Sequence, residues 1–459
     1  MKKFLSLLLC VLLVCACFSA CSGEKQPSDL PEQSQEQPQE QSQEQTDGSA
    51  QKPLRVLLDQ AANAPGDALW LSDEDIAEDL LERVKKLGGP TDIEVEIVPD
   101  GFMGHKEERQ TELTRIRVEI MSGAGPDLFI CTSLPPCANN DYPALFQFPE
   151  QAMRRGLFLN LDEYIENAQF MEWDKLNSTV MSAGKTESGQ YLLPLAYMFP
   201  LTYFLSDDVP PYPVSTTWAD VASGNDPVLG TSMETISNFW YGTDFLSFTW
   251  ANLADYDTGK LLLTEEDLLQ RAKDARALLE NNTTDLPHFR WTMFKDQFAV
   301  NTLLTDGVDD NEVYQGITFK DDLTMVPLYC DEGGTVAPVR AYAGINAATE
   351  RPEDAFFVLD VLLSEDFQRN SDLFLEWENG VMPVCDEITG VMLPGALEGY
   401  REARSQITSA RIVSPLDTSI NFALSEYQWK PDDGEATDGT LEELVSEAYR
   451  EMKRMLDES

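Results

Sequence analysis

Hydrophobic positions repeat with different periods in different parts of the chain. Leu54 to Leu58 is a short apolar run, read as a buried strand. Ser72-Asp73-Glu74-Asp75 then has the pattern of a capping box, and Ile76, Leu80, Leu81, Val84 and Leu87 mark one helical face. Gly88-Gly89 stops that helix. Ile93, Val95 and Ile97 alternate with polar residues, which predicts a second strand. A helix over about 108–121 follows, with Leu113, Ile116, Ile120 and Met121 inward, ended by Gly123 to Gly125. Asp127 to Cys131 reads as a third strand. This β-α-β-α-β rhythm predicts a parallel sheet covered by helices.

The middle of the chain is rich in aromatics, Pro and Gly. Tyr191 to Leu205 is apolar but interrupted by Pro194 and Pro200, which would break a helix, so it is extended chain running between layers or lobes. Thr264 caps a helix to about Glu280, with Leu268, Leu269, Ala272, Ala275, Leu278 and Leu279 on one side. Pro352 opens another in its first turn, through Phe356, Leu359, Leu362 and Leu363. A capping box of Thr440 and Glu443 starts the last, which buries Leu444, Val445, Ala448, Met452 and Met455.

The first 52 residues follow neither pattern. Lys2 and Lys3 precede the apolar run from Phe4 to Val14, as in a signal peptide. Phe18-Ser19-Ala20-Cys21 resembles the lipobox of bacterial lipoproteins, whose cysteine is lipidated and becomes the mature N-terminus. An uncleaved anchor helix and lipidation at Cys17 are the alternatives; on any of them the body lies outside the cytoplasm. Ser22 to Lys52 is dominated by Gln, Glu, Ser and Pro and has too few apolar groups to offset its ordering entropy. A disordered tether is expected over 21–52 after a signal over 1–20, with a root-mean-square reach of about 30 Å. The remainder, about 400 residues, is too long for one ordinary core and predicts two lobes.

Charge and reactive groups narrow the function by exclusion. Lys and Arg total 33 against 80 Asp and Glu, a formal charge of −47, which disfavours nucleic acid and anionic lipid as partners. The acids are spread along the chain, so most belong to solvated faces. Cys131, Cys137, Cys330 and Cys385 are the only cysteines of the body, too few for a disulfide framework. Cys131 and Cys137 are near enough in sequence to pair, across the stiff Pro135-Pro136 step. The two histidines, His105 and His288, have no cysteine at metal-ligand spacing, and no metal or cofactor is expected. There is no Gly-x-Ser-x-Gly elbow, His-Glu-x-x-His or phosphate loop. Gly123-Ala124-Gly125 follows a helix and precedes a strand, the reverse of a dinucleotide loop. The expectation is a binding protein and no enzyme. Aromatics are the positive clue: Trp240, Trp291 and Trp377, near polar loop residues, suit the C–H faces of sugars. Asp100, ending the second strand, is placed to bind hydroxyls, or is a turn residue before Gly101.

Four stretches resemble a known family. Leu113 to Ile130 (LTRIRVEIMSGAGPDLFI), Tyr191 to Tyr197 (YLLPLAY), Gly333 to Ala348 (GGTVAPVRAYAGINAA) and Arg351 to Gln368 are similar to extracellular solute-binding proteins of ABC importers, family 1, the maltose-binding-like group. The resemblance implies an α/β, two-lobed, periplasmic-binding-protein-like (type II) fold with an interlobe cleft and a hinge crossed about three times. Carried over, lobe one is 53–196 plus 338–374 and lobe two is 197–337 plus 375–459. It further implies ligand contacts at Cys131 and Thr132 to Ser133, at Tyr197 and Met198 past the crossing, and at Gly333, Gly334, Arg340 and Tyr342 on the returning strand. Met198 departs from the polar contact of the sugar binders. The implied function is capture of a small solute, a saccharide, by a monomer lipid-anchored on the outer face of the cell membrane, expected in a Gram-positive cell, and delivery to ABC permease subunits. A non-sugar solute, ligand presentation to a membrane sensor and an outer-surface hydrolase are the other readings.

Overall fold

The computed structural model describes residues 52–59, 73–99, 106–133, 144–198, 200–205, 209–238, 246–281, 291–292, 323–370, 382–388, 394–428 and 440–458. The expected signal, Cys21 and nearly all of the tether lie outside them. None of the described helices is long and apolar enough to cross a membrane.

Among the described residues, two sheets carry the architecture, built from β1 Leu54–Asp59, β2 Ile93–Ile97, β3 Leu128–Thr132, β4 Leu192–Tyr197, β5 Leu201–Leu205, β6 Trp291–Thr292, β7 Leu323–Pro327, β8 Thr335–Ile345, β9 Met382–Pro383 and β10 Ile407–Ile412. The main sheet runs β9-β4-β8-β3-β1-β2, with β10 also on β8. β1 pairs parallel with β2 and β3, so the predicted β-α-β-α-β unit is present. β8 enters antiparallel to both β3 and β4, and parallel to β10. A second, antiparallel sheet runs β6-β5-β7. The extended segment from Tyr191 to Leu205 thus supplies one strand to each sheet. β3 and β4 are buried at every position, as strands covered on both faces must be.

The helices packed on these sheets include α1 Asp73–Lys86, α2 Lys106–Met121, α3 Pro149–Arg154, α4 Pro227–Asn238, α5 Glu265–Asn281, α6 Pro352–Leu362, α7 Pro394–Arg404, α8 Pro415–Gln428 and α9 Leu441–Glu458. Capping boxes at Thr264 with Asp267 and at Thr440 with Glu443 begin α5 and α9, the hydroxyl and carboxylate each closing on the other residue's backbone N–H. Several inward assignments differ from the pattern. Leu87 and Met121 are exposed, Met121 at 87%, because each falls at the end of its helix beyond the covered sheet. Arg109 is buried on α2 instead, for a reason given below. In α9 the buried stripe is Leu441, Val445, Ala448, Met452 and Leu456, and Leu444 and Met455 are half-buried at its margin.

Buried side chains form two hydrophobic clusters. The first surrounds the main sheet and includes Leu54, Phe129, Phe158, Leu195, Tyr342 and Leu359. The second gathers Trp218, Phe248, Trp250, Leu268, Leu416 and Met452 from the helices after β4. This is a two-lobed α/β fold. The chain passes from one cluster to the other at Tyr197–Met198, at Val336–Ala337 inside β8, and at Ile412–Val413. The second sheet touches both clusters, with Leu201 and Met325 in the first and Phe204 and Val326 in the second. Val384, Cys385, Ile388, Tyr400, Ala403, Ile407 and Ile412 pack in the first cluster, although the resemblance assigns 375–459 to the second lobe. The pairing of β9 with β4 and of β10 with β8 holds them there.

Candidate functional site

The carboxyl ends of β1 and β3 meet the first lobe's boundary with the second, the position where open parallel sheets hold ligands. The register places Asp59 beside Cys131, and the Thr132 hydroxyl reaches the Asp59 carbonyl at 3.4 Å. Asp59 and Arg109, each 1% exposed, form an ion pair at 2.8 Å. That pair explains the inward arginine of α2: a buried carboxylate needs a buried cation and hydrogen bonds. The Leu145 N–H also donates to Asp59, at 3.3 Å, while Arg117 holds the Ala144 and Leu145 carbonyls.

β8 forms the other wall. Its Tyr342 lies opposite Cys131, and the phenol hydrogen-bonds the thiol. Ser133 donates its N–H to the Arg340 carbonyl at 2.7 Å and its hydroxyl to the Val339 carbonyl at 2.9 Å. Arg340 is half-buried and points Nη1 at Met198 Sδ, 3.0 Å away. Met198 is tied in turn by its N–H to the Pro338 carbonyl at 2.7 Å. Two of the three crossings therefore touch one another beside the ends of β1 and β3.

Cys131, Thr132, Arg340 and Tyr342 are brought together here, as are Ser133 and Met198. Tyr197 stands elsewhere in the first core, fully buried beside Tyr400 and with the Arg404 guanidinium 5.7 Å from its ring centre. Gly334 lies just before β8, a separation of roughly 20 Å from Arg340 at strand rise. Its φ is +70°, and a Cβ there would stand 2.6 Å from the Gln406 carbonyl oxygen, so backbone contact explains the glycine. Trp291 lies in β6 opposite Tyr203. Asp100, Trp240 and Trp377 lie outside the described residues, as does Cys137; Cys131 is a free, buried thiol.

Electrostatics make the Cys131 thiol a poor nucleophile. Burial first, and the Asp59 charge second, push the Cys131 thiol well above its ordinary range, which keeps it protonated. Burial raises the Tyr342 phenol likewise, followed by the influence of Cys131, Asp59 and Glu150. Among the described residues no three His, Cys, Asp or Glu side chains are grouped to hold a metal ion. What the residues can do is donate and accept hydrogen bonds, through Arg340, Thr132 at the end of β3 and Ser133 just after it.

Sequence reasoning missed Asp59, Glu150, Arg411 and Asp417. Asp59 had a signal, an acid ending a buried apolar strand, like the one read at Asp100. Glu150 had none among 80 acidic residues.

No family model and no curated protein matches the sequence. In fold the chain is similar to extracellular solute-binding proteins. One is a family 1 member from Alicyclobacillus acidocaldarius, at 12% identity over 89% of this chain and 99% of that one, with a TM-score of 0.48. Another is an ABC substrate-binding protein from Listeria monocytogenes in complex with cycloalternan, at 15% identity, 88% and 99% coverage and a TM-score of 0.44. A third is an ABC transporter solute-binding protein from Thermotoga lettingae bound with alpha-D-tagatose, at 14% identity, 88% and 100% coverage and a TM-score of 0.47. At these values the architecture rests on the strand register and the two cores described above, and function does not follow from the likeness.

Proposed function

We propose that this chain is an extracellular solute-binding lipoprotein that captures a small solute by hinge closure and delivers it to an ABC permease. The observation that carries the reading is the convergence of chain crossings on the carboxyl ends of β1 and β3, beside Thr132, Ser133, Arg340 and Met198. Few connections between two cores permit one to swing on the other, and a polar floor at that junction is where an enclosed solute is gripped. The solute is a carbohydrate in this reading, with Trp240, Trp291 and Trp377 as stacking groups and Asp100, Thr132 and Arg340 as hydrogen-bonding groups. No covalent step is involved. Cys21 carries the lipid and residues 21–52 span to the permease; labelled acyl chain should be lost in Cys21→Ala, and undiminished labelling rejects the anchor.

Thermal-shift screening of the purified protein tests the binding claim. A ligand at 100 times its Kd adds about 2.7 kcal/mol of stability. A saccharide should raise the melt, and Arg340→Gln should reduce that rise without lowering the melt of the unliganded protein. A panel in which sugars do nothing and another solute class stabilises would replace carbohydrate by that class. The Arg340–Met198 contact favours such a less polar solute as the second reading.

A further inference from the structure

The lobes touch at a second place, and a carboxylate is buried in that contact. Helix α3 belongs to the first lobe's outer chain, yet Phe148 before it packs in the second core, its ring 6.3 Å from Tyr256. Arg154 at its far end bonds Asp257 at 2.6 Å and lies 5.9 Å from the Tyr256 ring centre. Tyr256 and Asp257 sit on a second-lobe hairpin between strands Ala254–Asp255 and Lys260–Leu261. Between these contacts lies Glu150, 8% exposed, whose Oε2 has no hydrogen-bond partner among the described residues.

Charged and titratable groups act on Glu150 from the elements around it: Arg154 from its own helix (itself paired with Asp257), Tyr256 from the hairpin, Tyr342 from β8, Arg411 from β10 and Asp417 from α8. Both arginines are already engaged. Arg411 binds Asp417 at 2.7 Å and the carbonyls of Trp250, Ala251 and Ser247, and Arg154 binds Asp257. Asp417, fully buried, presents a like charge.

We propose that the contact of Phe148–Arg154 with Tyr256 and Asp257 is a clasp that holds the lobes closed, and that closing it takes up a proton on Glu150. The proposal rests on the hinge closure of the proposed function. Burial foremost, and Asp417 after the opposing backbone hydrogen bond, raise the Glu150 carboxyl from 4.5 to about 7, against the weaker pull of Arg154 and Arg411. When the lobes part, the Tyr256 hairpin and Asp417 on α8 leave with the second lobe and water reaches the carboxyl, which returns to its ordinary value. A raised acid favours the closed form wherever it is protonated. The closed-to-open ratio is therefore highest below pH 4.5, falls as pH rises from 4.5 to 7, and is level above 7, a change of up to about 300-fold.

The test is a pulsed electron-spin distance measurement on the full chain. Labels are carried on keto-bearing residues introduced at Glu187 and Lys260, exposed positions on the two lobes, so that native thiols stay unlabelled. Two distances are expected, with the shorter gaining weight as pH falls from 8 to 5. Glu150→Gln should hold the short-distance share constant and high across that range. Arg154→Gln, which removes a cation favouring the carboxylate, should carry the slope above pH 7. Two distances whose ratio ignores pH, or a Glu150→Gln protein with the parent's slope, overturn the clasp alone. A single distance at every pH overturns the clasp together with the closure it rests on.

Discussion

In the first lobe Asp59 and Arg109 meet across a strand and the helix that covers it, and both belong to the same core. In the second, Arg411 and Asp417 stand six residues apart, one on the last strand of the main sheet and the other on α8. Arg411 reaches out of the first lobe's sheet, lies 4.8 Å from the Phe248 ring centre and binds three carbonyls of the second core. Each pair is buried, so each is costly to break from one side. The first pair is internal to its lobe; the second ties one lobe's core to a strand of the other. The sheet lobe is thereby self-contained, and the helical lobe depends on it.

The largest expected effect tests that asymmetry directly. Asp417→Ala leaves Arg411 charged and buried without its carboxylate and removes the acceptor for the Ser414 N–H and hydroxyl. Breaking such a pair costs about 3–5 kcal/mol. Native-state hydrogen exchange should lose protection by that amount in α5, α8 and α9, while β1 and β3 keep theirs. Equal loss in both lobes would mean a single cooperative unit and end the distinction. Asp59→Ala, of similar cost, should unprotect both lobes, because the second has no support once the main sheet opens.

The same asymmetry governs how much could be read from the chain beforehand. The first half of the main sheet was legible because β1, β2, α1 and α2 are near one another in sequence and carry clean periods. The caps at Thr264 and Thr440 were legible for the same reason: their hydrogen bonds close within three residues. Arg109 was not, since a helical arginine turns inward only when a carboxylate far away in sequence is waiting for it. The site divides likewise. Cys131, Thr132, Arg340 and Tyr342 lie on two strands whose pairing makes them neighbours. Tyr197 is drawn into the core by Tyr400 and Arg404, on a helix about two hundred residues later, which no local pattern signals.

A smaller effect is expected where the two lobes share one strand. Gly334 precedes the crossing in β8, donates its N–H to the Thr216 carbonyl, and accepts from the Cys330 N–H. Alanine would need a left-handed backbone, costing about 1–2 kcal/mol, with further strain from contact with the Gln406 carbonyl. Gly334→Ala should therefore destabilise by about 2–3 kcal/mol, read from urea midpoints at constant m. Its exchange signature should spread over β8 and β10 and the second core alike. Loss restricted to the turn at 330–334 would show that the crossing is softer than the lobes it joins.

The smallest effect isolates the helical lobe. Thr264 accepts from the Asp267 N–H and donates to its carboxylate, closing the first turn of α5. Its removal in Thr264→Ala should cost about 1 kcal/mol. α5 packs on α4 and α9 within the second lobe, and Arg271 on its inner side lies 4.1 Å from the Trp250 ring centre. A frayed start should therefore reach Trp250 through Arg271 and leave the main sheet untouched. The same holds for pH. The Asp267 carboxyl is held below its ordinary 3.8, chiefly by the Thr264 backbone N–H and then by its hydroxyl, so the cap's contribution is present above that value. It fades as pH falls through the lowered pKa, and Thr264→Ala should be least harmful there. Acid titration of the two proteins, compared by amide exchange at α5 against β3, checks it. A cost that persists unchanged at low pH would assign the loss to the threonine methyl rather than to the cap.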